Sequence, residues 1–157
     1  MKKYYLLLIG FIAIMLLSSC GTSSKVYSVG ETATDGTFNI QITDWKEIDQ
    51  VESFEGPNEG YIYVFVFLDM ENISSKEQEF YGTEFEFIVD DYETIQSTFG
   101  YGNVEIDGIK GFDGVFGNSL KPGRKIRNYI CAEVPENWEN IEISFRDDIQ
   151  FLIAKQT

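Results

Sequence analysis

Tyr61-Ile62-Tyr63-Val64-Phe65-Val66-Phe67-Leu68 is the strongest strand signal in this sequence. Successive side chains of a β-strand point to opposite faces of the sheet, so this run places an aliphatic row on one face and an aromatic row on the other. A strand that is apolar on both faces is central in its sheet and is covered on two sides, at least in part. We therefore expect the aliphatic row to belong to the core between two sheets.

The aromatic row consists of Tyr61, Tyr63, Phe65 and Phe67. Aromatic side chains that lie exposed in a patch mark interaction sites, which makes this row a candidate binding face. The alternative is that a loop or the amino-terminal segment covers the row. The sequence leaves both interpretations open.

The rest of the sequence predicts further short strands separated by turns and loops. Apolar alternation or short apolar runs predict strands at residues 38–43, 84–89, 95–99, 126–134, 141–145 and 151–154. Asp35-Gly36 is typical of a tight hairpin turn, and Pro122-Gly123 is typical of a type II turn. Polar or Gly-rich composition predicts loops at residues 44–58, 70–78 and 100–118. No stretch keeps a helical period over three turns, so seven or eight short strands predict an all-β sandwich or barrel.

The amino-terminal segment predicts export and lipid attachment. Basic Met1-Lys2-Lys3 precedes an apolar run from Tyr4 to Leu17, and small residues lead from there to Cys20. A positive start, an apolar segment and small residues before a cleavage site are typical of a secretory signal peptide. With a Cys at its end, the segment resembles the bacterial lipoprotein signal, in which a diacylglycerol is joined to the Cys thiol and the peptide is cut just before it. The resemblance implies a signal peptide at 1–19, acyl chains such as palmitate on Cys20, a short tether at 20–25 and one domain at 26–157.

Two other interpretations of this segment fit less well. The apolar run holds 14 residues, whereas a membrane-spanning helix needs about 20. A secreted protein cut near Ser18 or Ser19 would leave Cys20 as a spare thiol, whereas lipid attachment requires a thiol at this position. Because two acyl chains anchor a protein stably and one does not, we expect a lipid-anchored protein of the cell membrane whose domain faces outside the cytoplasm.

The charge and the cysteine content limit the classes of partner that this chain can have. The chain has 12 Lys and Arg, 26 Asp and Glu, and no His; once the signal takes Lys2 and Lys3 away, ten basic residues against 26 acidic ones leave a net charge of −16. This charge disfavours nucleic acid, whose phosphates need clustered Lys and Arg. Cationic peptides, other proteins, envelope polymers and divalent metal ions stay open as partners, and solubility alone also explains a high charge. Cys131 has no disulfide partner once Cys20 is lipidated, which favours a Gram-positive source and a packed thiol.

A family resemblance rests on the order of several weak motifs. These are Val29-Gly30-Glu31-Thr32, Tyr63-Val64-Phe65-Val66 running to Asn72, Phe85-Glu86-Phe87 running to Asp90, and Leu120-Lys121-Pro122-Gly123 running to Val134-Pro135. In this order, behind a lipoprotein signal, they resemble a large family of uncharacterised bacterial lipoprotein domains that is similar to the immunoprotective extracellular proteins. The resemblance covers residues 25–155 and implies an immunoglobulin-like antiparallel β-sandwich without established catalytic residues. The chain departs from the family in Arg124, Asn128 and the Gly-rich insert at 108–118.

The residue types disfavour catalysis and permit a metal site. Without His, the commonest general base and most transition-metal sites are excluded, so we expect no enzyme activity. Asp90, Asp91 and Glu93 share one predicted turn, and Glu105, Asp107 and Asp113 share the Gly-rich loop. Such oxygen donors suit Ca²⁺, although neither set has the spacing of a known calcium loop and both are equally explained as solvated acidic loops. The sequence therefore predicts a membrane-anchored binding module, with a calcium-stabilised structural or adhesive module as the alternative.

Overall fold

The computed structural model describes residues 25–51, 56–91, 93–96, 104–112 and 117–155, and every regular element in them except one is a β-strand. The exception is a single turn of 3₁₀ helix at Gly82–Glu84. The strands are β1 Val26–Ser28, β2 Thr32–Thr34, β3 Phe38–Ile48, β4 Tyr61–Asn72, β5 Gln78–Phe80, β6 Phe85–Val89, β7 Glu93–Gln96, β8 Glu105–Ile106, β9 Ile109–Lys110, β10 Asn118–Leu120, β11 Lys125–Pro135, β12 Asn140–Phe145 and β13 Ile149–Ala154. The all-β prediction is confirmed.

Two sheets carry most of these strands. One has five strands in the order β1-β13-β12-β6-β7, and the other has four strands in the order β11-β4-β3-β2. All neighbours are antiparallel except β1 and β13, which run parallel. Two small antiparallel pairs lie outside these sheets: β5 pairs with the distant β10, and β8 and β9 form a hairpin.

The two sheets bury their facing apolar rows against each other. Four-stranded-sheet residues in this core include Ile40, Ile42, Val64, Val66, Leu68, Ile130, Ala132 and Val134. Five-stranded-sheet residues include Phe85, Phe87, Val89, Ile141, Ile143, Phe145, Phe151 and Ile153. The aliphatic row of β4 therefore lies between the sheets, as its alternation predicted.

The strands of the structure are longer and more numerous than the seven or eight predicted. β3 continues to Ile48 because its second half still pairs with β4, up to Ile48 opposite Tyr63. β4 continues past Leu68 through Asp69, Met70 and Glu71 to Asn72. Asn72 is fully buried, and its Nδ2 donates to the carbonyl oxygens of Lys76 and Leu120, both at 2.7 Å. The polar composition of residues 44–58 and 70–78 predicted loops, because the sequence does not show which of their polar groups find hydrogen-bond partners.

Both predicted turns are present. Gly36 has φ 84°, and the Asp35 carboxylate accepts hydrogen bonds from the backbone N–H groups of Thr37 and Phe38 at 2.7 and 2.6 Å. Gly123 has φ 69°, and the Arg124 N–H donates to the Lys121 carbonyl at 3.0 Å, as a type II turn requires.

The predicted signal peptide and most of the predicted tether, including Cys20, lie outside the described residues. Among the helices that the structure describes, none has the length and apolar character needed to cross a bilayer.

Candidate functional site

The aromatic row of β4 is largely covered. Tyr63, Phe65 and Phe67 are buried, whereas Tyr61 is 37% exposed. The three buried rings form a second apolar cluster with Val51 and with Tyr129 and Cys131 of β11. This cluster lies on the face of the four-stranded sheet that points away from the main core.

The β8–β9 hairpin provides the cover over this cluster. Tyr129 donates its hydroxyl to the Val104 carbonyl at 3.0 Å, and Asn128 Nδ2 donates to the Gly111 carbonyl at 3.2 Å. Lys46 of β3 forms an ion pair with Asp107 at the tip of the hairpin. Of the two interpretations of the aromatic row, the structure favours cover by a loop for three of the four rings. Of the four rings of the row, only that of Tyr61 is exposed.

In the part of the chain that the structure describes, no group of three potential metal-ligating side chains is found; the side chain of Glu93 lies outside it. Asp90 and Asp91 form a turn with φ 49° and 61°. The Asp90 carboxylate accepts hydrogen bonds from the backbone N–H groups of Glu139 and Asn140 at 3.0 and 2.8 Å. Glu93 is in β7.

In the second candidate set, Glu105 and Asp107 form ion pairs with Lys110 and Lys46. Asp113 lies outside the described residues. Lysine ammonium groups thus occupy positions that a cation would take at these two carboxylates.

Cys131 is buried in the second apolar cluster, as its sequence context predicted. Burial, with a smaller contribution from the charge of Glu133, raises the pKa of the thiol well above its usual range. Since the thiolate is the reactive form, this residue is an inert packing group.

A polar cavity that the sequence did not reveal lies beside the turn between β12 and β13. Its volume is about 270 Å³. Its lining residues come from the 3₁₀ turn, β6, β12 and the β12–β13 turn; they are Thr83, Glu84, Glu86, Ser144, Arg146 and Asp147.

Arg146 and Glu84 form one rigid wall of this cavity. Arg146 Nε and Nη2 donate to the two carboxylate oxygens of Glu84 at 2.8 and 2.9 Å, and Nη2 also donates to the Glu79 carbonyl at 3.0 Å. The guanidinium packs over the Phe145 ring, 4.9 Å from its centroid. A bidentate pair of this kind fixes both side chains in a specific geometry.

The backbone of the same turn is unusual. Arg146 and Asp147 have φ 52° and 60°, in the left-handed region that favours Gly, Asn and Asp. Positive φ at both central positions is typical of a type I′ turn, and the Asp148 N–H closes this turn on the Phe145 carbonyl at 3.2 Å. The dipeptide Arg-Asp is a weak turn signal, so no local pattern singles out this turn.

Ser144 forms the floor of the cavity. Its neighbours Ile143 and Phe145 point into the main core, so its hydroxyl points to the outer face of the five-stranded sheet. It is only 4% exposed. The residues opposite it on the adjacent strands are Glu86 and Gln150.

Comparison with known proteins agrees with the fold. The family described as domain of unknown function DUF4352 matches residues 27–154. No curated protein matches the chain significantly.

Several solved structures share the fold at low identity. A conserved hypothetical protein from Bacillus anthracis aligns with a TM-score of 0.60 at 18% identity, covering 82% of this chain and 96% of the other. An uncharacterised β-sandwich protein from Clostridium difficile aligns with a TM-score of 0.56 at 14% identity, covering 85% of this chain and 97% of the other. A candidate lipoprotein, ycdA, from Bacillus subtilis aligns with a TM-score of 0.59 at 9% identity, covering 78% of this chain and 38% of the other. The chain is thus a β-sandwich like these proteins.

Proposed function

The chain belongs to the family of the domain of unknown function DUF4352, and we propose that within it this protein is a lipid-anchored binding module outside the cytoplasm. The observation that carries the proposal is the apolar segment that ends in Leu17-Ser18-Ser19-Cys20 directly ahead of the β-sandwich. The likeness to a candidate lipoprotein of Bacillus subtilis supports the same location. Anchoring follows from two acyl chains on the thiol of Cys20.

The start of the domain indicates which end faces the membrane. β1 begins at Val26, which lies opposite Gln150, close to the β12–β13 turn. From Cys20 to Lys25 the chain reaches at most about 18 Å. The end of the sandwich that carries the β12–β13 turn would therefore lie next to the bilayer.

Charge is distributed unevenly between the two ends. The membrane-facing end holds seven of the ten Lys and Arg residues of the domain, with a comparable number of carboxylates: Lys25, Lys76, Lys121, Arg124, Lys125, Arg127 and Arg146. At the opposite end Lys155 forms an ion pair with Glu47. The other charged residues at this end are acidic: Asp49, Glu59, Asp90, Asp91, Glu133, Glu136 and Glu139. Because an anionic lipid surface repels the acidic end, this distribution supports the same orientation.

A binding role fits the side chains better than a catalytic role. The chain contains no His, and the thiol of Cys131 is buried and protonated. At the cavity, the Glu84 carboxylate is paired with Arg146. In the acidic turns, Glu105 and Asp107 are paired with Lys residues, and Asp90 accepts hydrogen bonds from backbone N–H groups. We therefore propose that the protein binds a partner and does not turn one over.

The location is tested by detergent phase partition of the full chain made with its signal in a bacterium that lipidates proteins. We expect the protein in the detergent phase with an intact mass that includes a diacylglycerol. Cys20→Ala should move to the aqueous phase, whereas the matched control Cys131→Ala should stay in the detergent phase. Wild-type protein in the aqueous phase, without a glyceride in its mass, would refute the anchor.

The binding role is tested separately by following the unfolding temperature of the same protein against basic peptides, envelope polymers and metal ions. Binding to the folded state stabilises it by RT ln(1 + [L]/Kd), so the unfolding temperature rises with the logarithm of the ligand concentration once that concentration exceeds Kd. Turnover of a substrate, in the absence of binding to any envelope component, would contradict the proposal.

A further inference from the structure

We propose that Ile73, Lys76, Lys121 and Arg124 form a docking patch that contacts anionic lipid headgroups of the bilayer in which the protein is anchored. These four residues are called the basic patch below. The inference deepens the proposed function and rests on it, since it names the surface of the domain that meets the membrane and the class of lipid that this surface takes.

One buried side chain assembles the basic patch from two separate loops. Asn72 is fully buried, and its Nδ2 donates to the carbonyl oxygens of Lys76 and Leu120, both at 2.7 Å. Its backbone N–H donates to the Arg124 carbonyl at 3.1 Å, and its carbonyl accepts from the Gly123 N–H at 2.8 Å. The loop after β4 and the turn before β11 are therefore held side by side, which brings the patch residues together.

The side chains of the basic patch are open to a ligand. Lys76, Lys121 and Arg124 are exposed and form no ion pair with any described residue. Ile73 follows Asn72 directly and is 44% exposed. Exposed cations beside an aliphatic side chain suit the boundary between headgroups and acyl chains, because the cations meet phosphates there and the aliphatic atoms leave water.

The local charge at the basic patch is positive although the domain is acidic. Four carboxylates lie near the patch: Asp35, Asp69, Glu71 and Glu77. On the outer sheet face Asp69 and Glu71 of β4 lie opposite Arg127 and Lys125 of β11, so two cations offset those two carboxylates. Only the other two carboxylates remain against the three cations of the patch, and they accept hydrogen bonds from backbone N–H groups and from a serine hydroxyl.

The basic patch lies at the end of the sandwich where the tether enters. The Ile73 N–H donates to the Thr37 carbonyl at 2.9 Å, directly before β3 begins at Phe38. The Phe38 ring centroid is 6.1 Å from that of Phe145, which precedes the β12–β13 turn. β1 begins beside the strand that follows the same turn. Because the tether reaches at most about 18 Å, this end stays close to the headgroups.

The tether also favours the bilayer over a soluble polyanion as the occupant of the patch. Each Lys or Arg near an anionic lipid surface strengthens the attraction by about fivefold. Three such contacts are weak for a partner that diffuses freely. For a surface that the anchor keeps within reach, they suffice, since the effective concentration is high.

The test places the lipidated full chain in nanodiscs and measures how strongly a lipid with a gadolinium chelate on its headgroup broadens each backbone amide signal. One nanodisc contains phosphatidylcholine, and the other contains phosphatidylcholine mixed with phosphatidylglycerol. We expect the signals of residues 73–76 and 123–125 to broaden at least about twofold more in the anionic nanodisc, and high salt to remove the excess. The signals of residues 136–139, at the opposite end, should be alike in both nanodiscs.

Matched variants locate the contact. Lys121→Gln and Arg124→Gln should each lower the ratio of docked to undocked protein by about fivefold. Ile73→Ser should lower it without a change of charge. Lys110→Gln makes the same charge change on the β8–β9 hairpin, where the side chain is also exposed, and should leave the ratio within about twofold.

Equal broadening in the two nanodiscs, or an equal loss of docking in Lys110→Gln, would overturn the inference. A response of the same signals to soluble polyglutamate, without a response to phosphatidylglycerol, would also overturn it, because the patch would then serve a soluble polyanion. If the protein still carries the glyceride and stays on the nanodisc, only the docking patch is refuted. If its intact mass lacks the glyceride and it leaves the nanodisc, the proposed location is refuted as well.

Discussion

At the scale of single residues, Asp69 is the most strongly engaged carboxylate of the outer sheet face. Its side chain is 9% exposed. It accepts a hydrogen bond from Arg127 Nε at 2.6 Å and forms an ion pair with Lys125 Nζ at 2.9 Å. The Arg127 hydrogen bond, with Lys125 adding to it and burial opposing it, lowers the pKa of Asp69 below its usual value. Three polar side chains on adjacent strands thus hold one another on a surface that faces water.

This pKa shift predicts a pH-dependent contribution to stability. Because the folded pKa is lower than the unfolded value of about 3.9, the contribution is complete above that value and is lost as the pH falls through the folded pKa. Asp69→Asn should lower the free energy of unfolding by about 1–2 kcal/mol at pH 7, since Arg127 and Lys125 are more than half exposed and partly screened. The difference from wild type should shrink between pH 4 and pH 2 in urea melts. A constant difference over that range, or an equal effect of Glu71→Gln on the same strand, would contradict this account.

The Asp90-Asp91 turn allows a matched pair of substitutions. Both residues have positive φ, where glycine carries no penalty. Asp91→Gly should raise the free energy of unfolding by about 0.5 kcal/mol. The relief of backbone strain in the folded state should exceed the destabilisation that comes from the larger conformational entropy of glycine in the unfolded chain. Asp90→Gly relieves the same backbone strain but removes the acceptor of the Glu139 and Asn140 N–H groups, so it should destabilise by about 1 kcal/mol. Thermal unfolding measures both, and effects of the same sign would show that the Asp90 carboxylate is not structural.

At the scale of elements, β4 decides how the molecule is layered. Its aliphatic row faces the main core, and its aromatic row faces the β8–β9 hairpin. The alternation of the sequence predicted both apolar faces. It could not show that a hairpin within the predicted loop at residues 100–118 returns over the aromatic row, because that contact joins residues about 40 positions apart in sequence.

Two substitutions on the aromatic row distinguish a covered ring from an open one. Phe65 is fully buried beneath the hairpin and 5.2 Å from the Tyr129 ring centroid. Phe65→Ala should therefore lower the free energy of unfolding by about 3–5 kcal/mol. Tyr61→Ala, four residues earlier in the same row and 37% exposed, should cost less than about 1 kcal/mol. Similar small effects in urea melts would mean that the hairpin does not cover the row in solution.

At the scale of the whole molecule, the described domain holds together by apolar packing between two sheets without a metal cluster in its described residues. We expect the unfolding temperature to be unchanged by a chelator and by the return of Ca²⁺, because the acidic turns are stabilised by Lys residues and backbone N–H groups. Scanning calorimetry with and without EDTA measures this. A fall of several degrees that Ca²⁺ reverses would instead support the calcium-stabilised module.

The polar cavity and the charge asymmetry are also properties of the whole molecule. Glu86 and Ser144 are 58 positions apart in sequence and become neighbours only through the pairing of β6 with β12. Likewise, Arg146 reaches Glu84 across the end of the same sheet. Pairwise spacing along the chain gives no signal for such sites, since hydrogen bonding between strands sets their geometry.

The sequence by itself determined the all-β class, the central strand with two apolar faces, the two glycine turns, membership of a family of uncharacterised domains and the expectation of a lipid anchor at Cys20. These follow from local periodicity, turn chemistry and a contiguous signal, which depend on neighbouring residues alone. Only the tertiary structure decided that three rings of the aromatic row are covered, that Asp90, Glu105 and Asp107 have backbone or lysine partners, and that Ser144 and Glu86 line one cavity. Those features depend on which distant strands meet and in which register, and a one-residue change of register would move each side chain to the other face.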